Sequence, residues 1–133
     1  MNPEISRFIW SRAANRCEYC HVPDIYEPGM HLDHIIAIQH GGATVIDNLA
    51  LACVHCNRHK GPNVAGVDPT TGQVTLLFHP RREQWQDHFA WDGAVLTRKT
   101  ETGRVTIQVL AINAPDFRTM RAALMESGDF SWE

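Results

Sequence analysis

Two stretches of the chain, one near each end, carry apolar residues at the spacing of an amphipathic helix. The first follows Asn2, which can cap a helix, and Pro3, which suits the first helical position, and it should end before Cys17. Its apolar stripe consists of Ile5, Phe8, Ile9 and Ala13. The second starts at Asn113 and Pro115 and ends at Ser127-Gly128, with Phe117, Met120 and Leu124 on one face. The pattern therefore predicts an N-terminal and a C-terminal helix.

The middle of the chain alternates between short apolar runs and turn signals. His31–Ile38 is rich in isoleucine and predicts a strand, and Leu49–Ala52 predicts a second one after the turn at Gly41-Gly42. Val54–Lys60 predicts a helix of about two turns, because Gly61-Pro62 must end it.

Beyond the middle, the pattern predicts a smaller extension. Val74, Leu76 and Phe78 alternate as in a strand, and residues 81–91 suggest a short helix and a loop. Val95–Lys99 and Arg104–Leu110 read as a β-hairpin. We predict a small α+β fold in one domain over residues 1–133. It comprises an N-terminal helix over 1–15, a core over 16–61 and an extension of hairpin and helix over 62–133.

Composition and charge narrow the class of protein. With 133 residues, 44% hydrophobic and 20% charged, the chain predicts a globular protein that buries one core. A formal charge of −3 excludes a polybasic binder that relies on bulk charge. We expect no membrane partner, because the longest aliphatic run is Ile35-Ile36-Ala37-Ile38. We also expect no secretion signal, and therefore a cytoplasmic location.

The cysteines are concentrated in one part of the chain, as are six of the eight histidines, which fall within 21–59. Two Cys-x2-Cys pairs, Cys17 with Cys20 and Cys53 with Cys56, predict a tetrahedral structural zinc site. The alternatives are two disulfides, which a reducing compartment disfavours, and four ordinary buried cysteines, whose paired spacing would be a coincidence. Four protein ligands leave no open position for catalysis, so zinc here would stabilise the fold.

A series of short motifs between and after these pairs carries a resemblance to a known family. In order they are Leu32-Asp33-His34-Ile35-Ile36, Gly41-Gly42, Asn48-Leu49 and Cys53-x2-Cys56-Asn57-x2-Lys60-Gly61. From about Arg16 to Gly61 the chain resembles the HNH endonuclease family of zinc-knuckle type. Asp68-Pro69, Leu77-Phe78 and Trp85-x2-His88-Phe89 are similar to bacterial members with a short C-terminal extension.

The resemblance implies a ββα-metal core that hydrolyses DNA with a catalytic Mg²⁺ or Mn²⁺. It implies that His34 is the general base and that Asp33 and Asn57 bind the divalent cation, while the Asn48 amide holds the loop that orients the base. These residue types suit the reaction, since a neutral imidazole can accept a proton from water and hard oxygen ligands suit Mg²⁺. No organic cofactor is expected.

Two features depart from a simple match. Asn57 occupies the position of the last histidine of the family motif, and an amide is a weaker ligand, so His59 stays open as an alternative. Residues two apart on a helix do not share a face, so Asn57 and His59 should not both reach the cation. Asp33 and His34 are neighbours on a strand and would diverge unless the strand ends, twists or bulges there.

Each site residue also has an ordinary interpretation. His34 could be a satisfied core or surface histidine, Asp33 a partner that orients a neighbouring side chain, Asn48 a turn residue and Asn57 a helix cap. The cations nearest the site in sequence can meet phosphates or form a solvated face: Arg58, Lys60, Arg81 and Arg82.

Two other classes of function compete with the nuclease. One is a zinc-ribbon module that binds nucleic acid or protein without catalysis, and the other is a scaffold that dimerises through its C-terminal part; the oligomeric state stays open. Zinc-bound thiolates would bring the net charge near −5 and a catalytic Mg²⁺ would return it to about −3. We therefore expect weak, salt-sensitive DNA binding without divalent metal.

Overall fold

The computed structural model describes residues 2–24 and 29–130. The helices are α1 (Pro3–Arg12), α2 (Val54–Lys60), α3 (Trp85–His88), α4 (Glu101–Val109) and α5 (Pro115–Glu126). The strands are β1 (His31–His34), β2 (Leu49–Ala52), β3 (Ala65–Val67), β4 (Val74–Leu76), β5 (Phe89–Asp92) and β6 (Val95–Arg98). β1 pairs with β2, β3 with β4 and β5 with β6, and each pair is a separate two-stranded antiparallel sheet. The fold is therefore of the α+β class.

The first sheet and helix α2 form the unit that carries the predicted core motifs. β1 and β2 pair with His31 opposite Ala52 and His34 opposite Leu49. Helix α2 follows β2 directly and contacts β1, while α1 contacts β2. The side-chain oxygen of Asn2 accepts a hydrogen bond of 2.7 Å from the Glu4 amide, so the predicted cap of α1 is confirmed.

Strand β1 is shorter than the sequence predicts, because it ends at His34 and not at Ile38. Beyond it, the Ile35 amide donates to the backbone carbonyl of Asn48 and the Ile36 amide donates to the Asn48 side chain. The Ile35 bond is still in register with the sheet, but at Ile36 the Asn48 side chain takes the place of a backbone partner and ends the pairing. Residues Ile38–His40 then form a 3₁₀ turn.

The predicted hairpin over residues 95–110 is wrong in its second half. The hairpin pairs β5 with β6, and residues 101–109 form helix α4. Thr100 caps this helix by accepting a hydrogen bond of 3.0 Å from the Gly103 amide. Gly103, Val105 and Thr106 are buried, and α4 packs against β3, β4 and β6. Of the β-branched residues in this segment, Val105 is buried, and Ile107 and Val109 are partly buried and pack against the core.

Most of the hydrophobic core lies between the cysteine-rich region and the C-terminal half. Tyr19, Phe78, Phe89, Leu110 and Ile112 all belong to this cluster, and the four cysteines lie within it. A smaller cluster under α1 contains Ile9, Leu49 and Leu51. Within the described residues, no helix is long and apolar enough to cross a membrane.

Candidate functional site

The four cysteines come together in the buried core. Their sulfur atoms all lie within 4.8 Å of one another, and all four residues are buried. Cys20 Sγ and Cys53 Sγ are 3.7 Å apart, well beyond a disulfide bond, and the four thiols are free. Each Cys-x2-Cys pair contributes two sulfurs, one pair from the loop before β1 and the other from the start of α2.

The electrostatics of this cluster suit a metal ion. Burial raises the pKa values of Cys20 and Cys56, whereas hydrogen bonds from the neighbouring thiols lower the pKa of Cys53. A divalent cation would replace the protons that the crowded sulfurs otherwise share. Four sulfur donors are the number that a tetrahedral structural zinc requires, so the cluster fits the zinc that the sequence predicts.

The carboxyl end of β1 brings three of the predicted site residues to one surface. Asp33, His34 and Asn57 all line an open cavity of about 320 Å³, together with Ile38 and Gly61. Asp33 and His34 both border it although they are neighbours on β1, whose last residue is His34. Asp33 is nearly covered, at 6% exposure, whereas His34 is half-buried.

Asp33 lines this cavity and is held by two buried groups. The Tyr19 hydroxyl donates to its Oδ2 at 2.8 Å, and Lys60 Nζ lies 3.2 Å from Oδ2 and 3.4 Å from Oδ1. Lys60 also donates to the His34 carbonyl at 3.1 Å. Burial raises the pKa of Asp33, and the Lys60 ammonium and the Tyr19 hydroxyl partly offset this increase.

The His34 ring is fixed at one nitrogen. Its Nε2 lies 2.9 Å from Thr44 Oγ1. Among the residues that the structure describes, Nδ1 of His34 has no hydrogen-bond partner. When Nε2 carries the proton and donates it to Thr44, Nδ1 presents a lone pair.

Asn48 ties the loop after β1 into a closed turn. Its side chain accepts from the Ile36 amide and donates to the Ile36 carbonyl, both at 2.9 Å, and donates to the Ala43 carbonyl at 2.9 Å. Gly42 lies directly against these groups. A Cβ atom at this position would overlap the Ile36 carbonyl and come 2.8 Å from Asn48 Nδ2. The glycine is required for close approach of the backbone and not for a positive φ.

Asn57 and His59 lie on different faces of α2, as their spacing predicts. Asn57 lines the cavity of Asp33 and His34, whereas His59 lines a cavity beside α5 and its Nδ1 contacts the His55 carbonyl at 2.8 Å. His59 is therefore oriented away from the candidate cation site, and Asn57 is oriented toward it.

The structure does not bring the four predicted phosphate-binding cations together. Arg58 is exposed beside His59, and Lys60 is buried against Asp33. Arg81 is paired with Glu18 in one cavity, while Arg82 lines another. Lys60 is therefore an internal partner of Asp33 and not part of a solvated face.

Two residues of this site were not singled out from the sequence. Tyr19 lies inside the first cysteine pair and Thr44 lies in the turn after Gly42, whereas Lys60 was expected to meet phosphate or solvent and is buried. The Cys17-x-Tyr19-Cys20 spacing gives no indication that the tyrosine reaches β1, because the contact with Asp33 spans 14 positions. Thr44 could have been suspected, since a hydroxyl near a candidate base is a common orienting group.

The comparisons with known proteins agree with the resemblance seen in the sequence. Residues 17–63 match the family model HNH endonuclease, which spans both cysteine pairs, the first sheet and α2. This match confirms the resemblance for that segment and indicates a nuclease-type or nucleic-acid-related function. No match was found among curated proteins, and none among solved structures.

The chemistry of the cavity also fits a second, hard cation. The Asp33 carboxylate and the Asn57 amide offer oxygen ligands on one surface, next to a histidine. Tyr19 and Lys60 use part of the hydrogen-bonding capacity of the carboxylate, which still borders the cavity. This set differs from the four-sulfur cluster, which is closed and suits zinc.

Proposed function

We propose that the protein is a metal-dependent HNH endonuclease that hydrolyses phosphodiester bonds of DNA. The observation that carries the proposal is the single cavity shared by Asp33, His34 and Asn57, set within the segment that matches the family model. DNA is preferred as substrate because the family resemblance favours it. A cytoplasmic location and the identity of the cation as Mg²⁺ or Mn²⁺ belong to the same proposal.

In this proposal His34 is the general base. Nε2 donates its proton to Thr44 Oγ1, so Nδ1 is free to accept a proton from a water molecule placed in line with the scissile bond. The Asn48 hydrogen bonds close the loop between Ile36 and Ala43 and thereby keep Thr44 within reach of the ring. The base is thus held by a short network of side-chain and backbone hydrogen bonds.

Asp33 and Asn57 hold the divalent cation in the same proposal. When bound, the cation would supply positive charge to the phosphate and to the departing 3′ oxygen. Asp33 is kept in one orientation by Tyr19 and Lys60, and the buried ammonium favours its ionised form. The expected products carry 5′-phosphate and 3′-hydroxyl ends, as the resemblance implies.

The second candidate function is a zinc-binding module without catalysis. The four-cysteine cluster favours it, because that cluster alone can support a folded binding surface. The two functions differ in the need for an exposed nitrogen on His34 and for a second cation.

The discriminating experiment is conversion of supercoiled plasmid by the zinc-loaded protein with and without added Mg²⁺ or Mn²⁺. We expect nicked or linear product that requires the added cation and that is lost for Asn57→Ala. The products are then end-labelled with and without phosphatase, and we expect labelling to require removal of a 5′-phosphate. DNA binding with no cleavage under any divalent cation would favour the binding module.

A further inference from the structure

A second polar cavity lies on the far side of strand β2 from His34. It has a volume of about 400 Å³, and its lining includes Arg12, Arg16, Glu18, Arg81 and Trp85. Arg12 reaches it from the end of α1, and Arg81 reaches it from the segment before α3. Neither the family resemblance nor the proposed chemistry assigns a role to this cavity.

The two best-placed arginines use their terminal nitrogens in the hydrogen bonds and ion pairs that the structure describes. Arg12 donates to the carbonyls of Ile46 at 3.0 Å and Leu49 at 2.6 Å, while Arg81 pairs with the Glu18 carboxylate. Within residues 2–24 and 29–130, the Nε atoms of Arg12 and Arg81 are both buried without a hydrogen-bond partner. Buried donors of this kind are rare and commonly mark the place of a bound ion or water.

Arg12 and Arg81 bring two positive charges to this cavity, and Glu18 is paired with Arg81. Burial and, as a smaller cause, the nearby positive charge of Arg12 lower the pKa of Arg81 to about 10. The two guanidinium groups therefore lie close enough to repel each other, and an anion between them would relieve that repulsion.

We propose that the cavity lined by Arg12 and Arg81 binds a phosphate group. Guanidinium groups present planar pairs of donors that match phosphate oxygens, and two such groups with unused Nε–H donors suit a tetrahedral dianion. The oxygen atoms of a phosphate can accept from both arginines at once, which no single water molecule does equally well.

The position of the cavity favours the backbone of a nucleic acid as the source of this phosphate. Leu49 pairs with His34 in the sheet, and its carbonyl accepts from Arg12 on the opposite edge of β2. A nucleic acid that occupies the site at His34 and extends across β2 would bring another of its phosphates to Arg12 and Arg81. This assignment of the source rests on the proposed function, whereas phosphate binding itself does not.

Inorganic phosphate is the probe for the site. The thermal midpoint of the full-length, zinc-loaded protein is measured against phosphate concentration, with chloride holding the ionic strength constant. We expect a midpoint that rises with phosphate, and a phosphate affinity at least tenfold lower for Arg81→Gln. Arg118→Gln removes the same charge from an exposed position on α5 and should leave the affinity unchanged.

Glu18→Gln supplies a test of opposite sign. It removes the carboxylate paired with Arg81 and keeps an acceptor for the Leu51 amide, which donates to Glu18 Oε2 at 2.8 Å. We expect tighter phosphate binding, whereas a purely structural role would weaken binding in both variants. This variant also keeps the proposal testable if Arg81→Gln does not fold.

A second arm identifies the source of the phosphate. In a His34→Ala background without added divalent cation, the salt dependence of binding to a short DNA duplex is compared with and without Arg81→Gln. Loss of one phosphate contact should lower the slope of log K against log salt by about 0.9. An unchanged slope with intact phosphate binding would assign the site to free phosphate. Equal midpoint shifts for the wild-type protein, Arg81→Gln and Arg118→Gln would overturn the site altogether, and would leave the plasmid result unaffected.

Discussion

Lys60 Nζ lies 3.2 Å from Asp33 Oδ2, and both side chains are almost completely removed from solvent. The pair joins the end of α2 to the end of β1, directly beneath the proposed base. Because Lys60 also donates to the His34 carbonyl, it fixes the backbone at the point where the strand ends. A residue that appears in the sequence to be a surface cation is thus a support of the candidate site.

Substitution of Lys60 should be strongly destabilising. Lys60→Met leaves the Asp33 carboxylate buried without its countercharge, and breaking a buried pair from one side costs about 3–5 kcal/mol. Urea unfolding of the zinc-loaded protein measures this loss. The double variant Lys60→Met with Asp33→Asn should recover part of the stability, since it removes the unpaired charge. If Lys60→Met alone were as stable as the wild-type protein, the pair would not support the fold.

Gly42 and Gly41 form a matched test of the loop. Gly42→Ala places a Cβ against the Ile36 carbonyl and near Asn48 Nδ2, so we expect loss of the Asn48 hydrogen bonds and of nuclease activity. Gly41 has a φ of +94° with open space around it, so Gly41→Ala should cost only about 1 kcal/mol from backbone strain. Thermal melts and cleavage rates of the two variants, side by side, test the difference. Equal effects would show that the close approach at Gly42 is unimportant.

Thr44 is expected to position the His34 ring. Thr44→Val removes the oxygen that lies 2.9 Å from Nε2, and the loss of one such hydrogen bond, about 1 kcal/mol, predicts a fall in kcat of roughly fivefold. Thr44→Ser keeps the hydroxyl and should retain most of the rate. A valine variant with an unchanged rate and pH profile would remove Thr44 from the mechanism.

The ion pair between Asp68 and Arg104 should make a pH-dependent contribution to the stability of the fold. Arg104 donates to both Asp68 carboxylate oxygens at 2.8 Å and holds the pKa of this carboxyl well below its usual range. A depressed pKa in the folded state gives stability that is present above the unfolded pKa, near 4, and is lost as the pH falls through the folded value. Asp68→Asn lacks this contribution at every pH. The stability gap between wild-type protein and Asp68→Asn in urea should therefore narrow as the pH falls below about 4, and a constant gap would contradict the assignment.

The structural metal gives the prediction with the largest effect on the fold. We expect one zinc per chain, and removal by a strong chelator should unfold the core around the four buried sulfurs. Cys56→Ser should abolish stoichiometric zinc. His55→Ala, one residue away and outside the sulfur cluster, should retain the metal. Full stability without metal would show that the cysteines only fill the core.

Local sequence signals correctly predicted the helices that capping or terminating residues bound at one end. The cap at Asn2 and the terminator at Gly61-Pro62 act within a few residues, so the helices they bound were predicted correctly. The segment 104–110 was misassigned because Val105, Ile107 and Val109 also fit a strand. The Thr100 cap was the available signal against that assignment.

The motif residues of the candidate site could be identified from their order along the chain, but their supports could not. Tyr19 and Lys60 reach Asp33 across 14 and 27 positions, and no local pattern encodes such contacts. Arg121 is likewise fully buried, where it donates to the carbonyls of Ala94 and Ile112 and stacks on aromatic rings. Composition gives no indication of which cation is buried, because burial depends on partners that only the fold brings together.

The most direct test of the proposed nuclease compares His34→Ala with His31→Ala. Both histidines lie on β1, but His31 is exposed at the other end of the strand and lies outside the cavity of Asp33 and Asn57. With equal zinc content and Mg²⁺ or Mn²⁺ present, plasmid cleavage by His31→Ala should match that of the wild-type protein. Cleavage by His34→Ala should fall by about 10²-fold or more, the contribution of a general base. Equal cleavage by His34→Ala and the wild-type protein would contradict the assignment of His34 as the base.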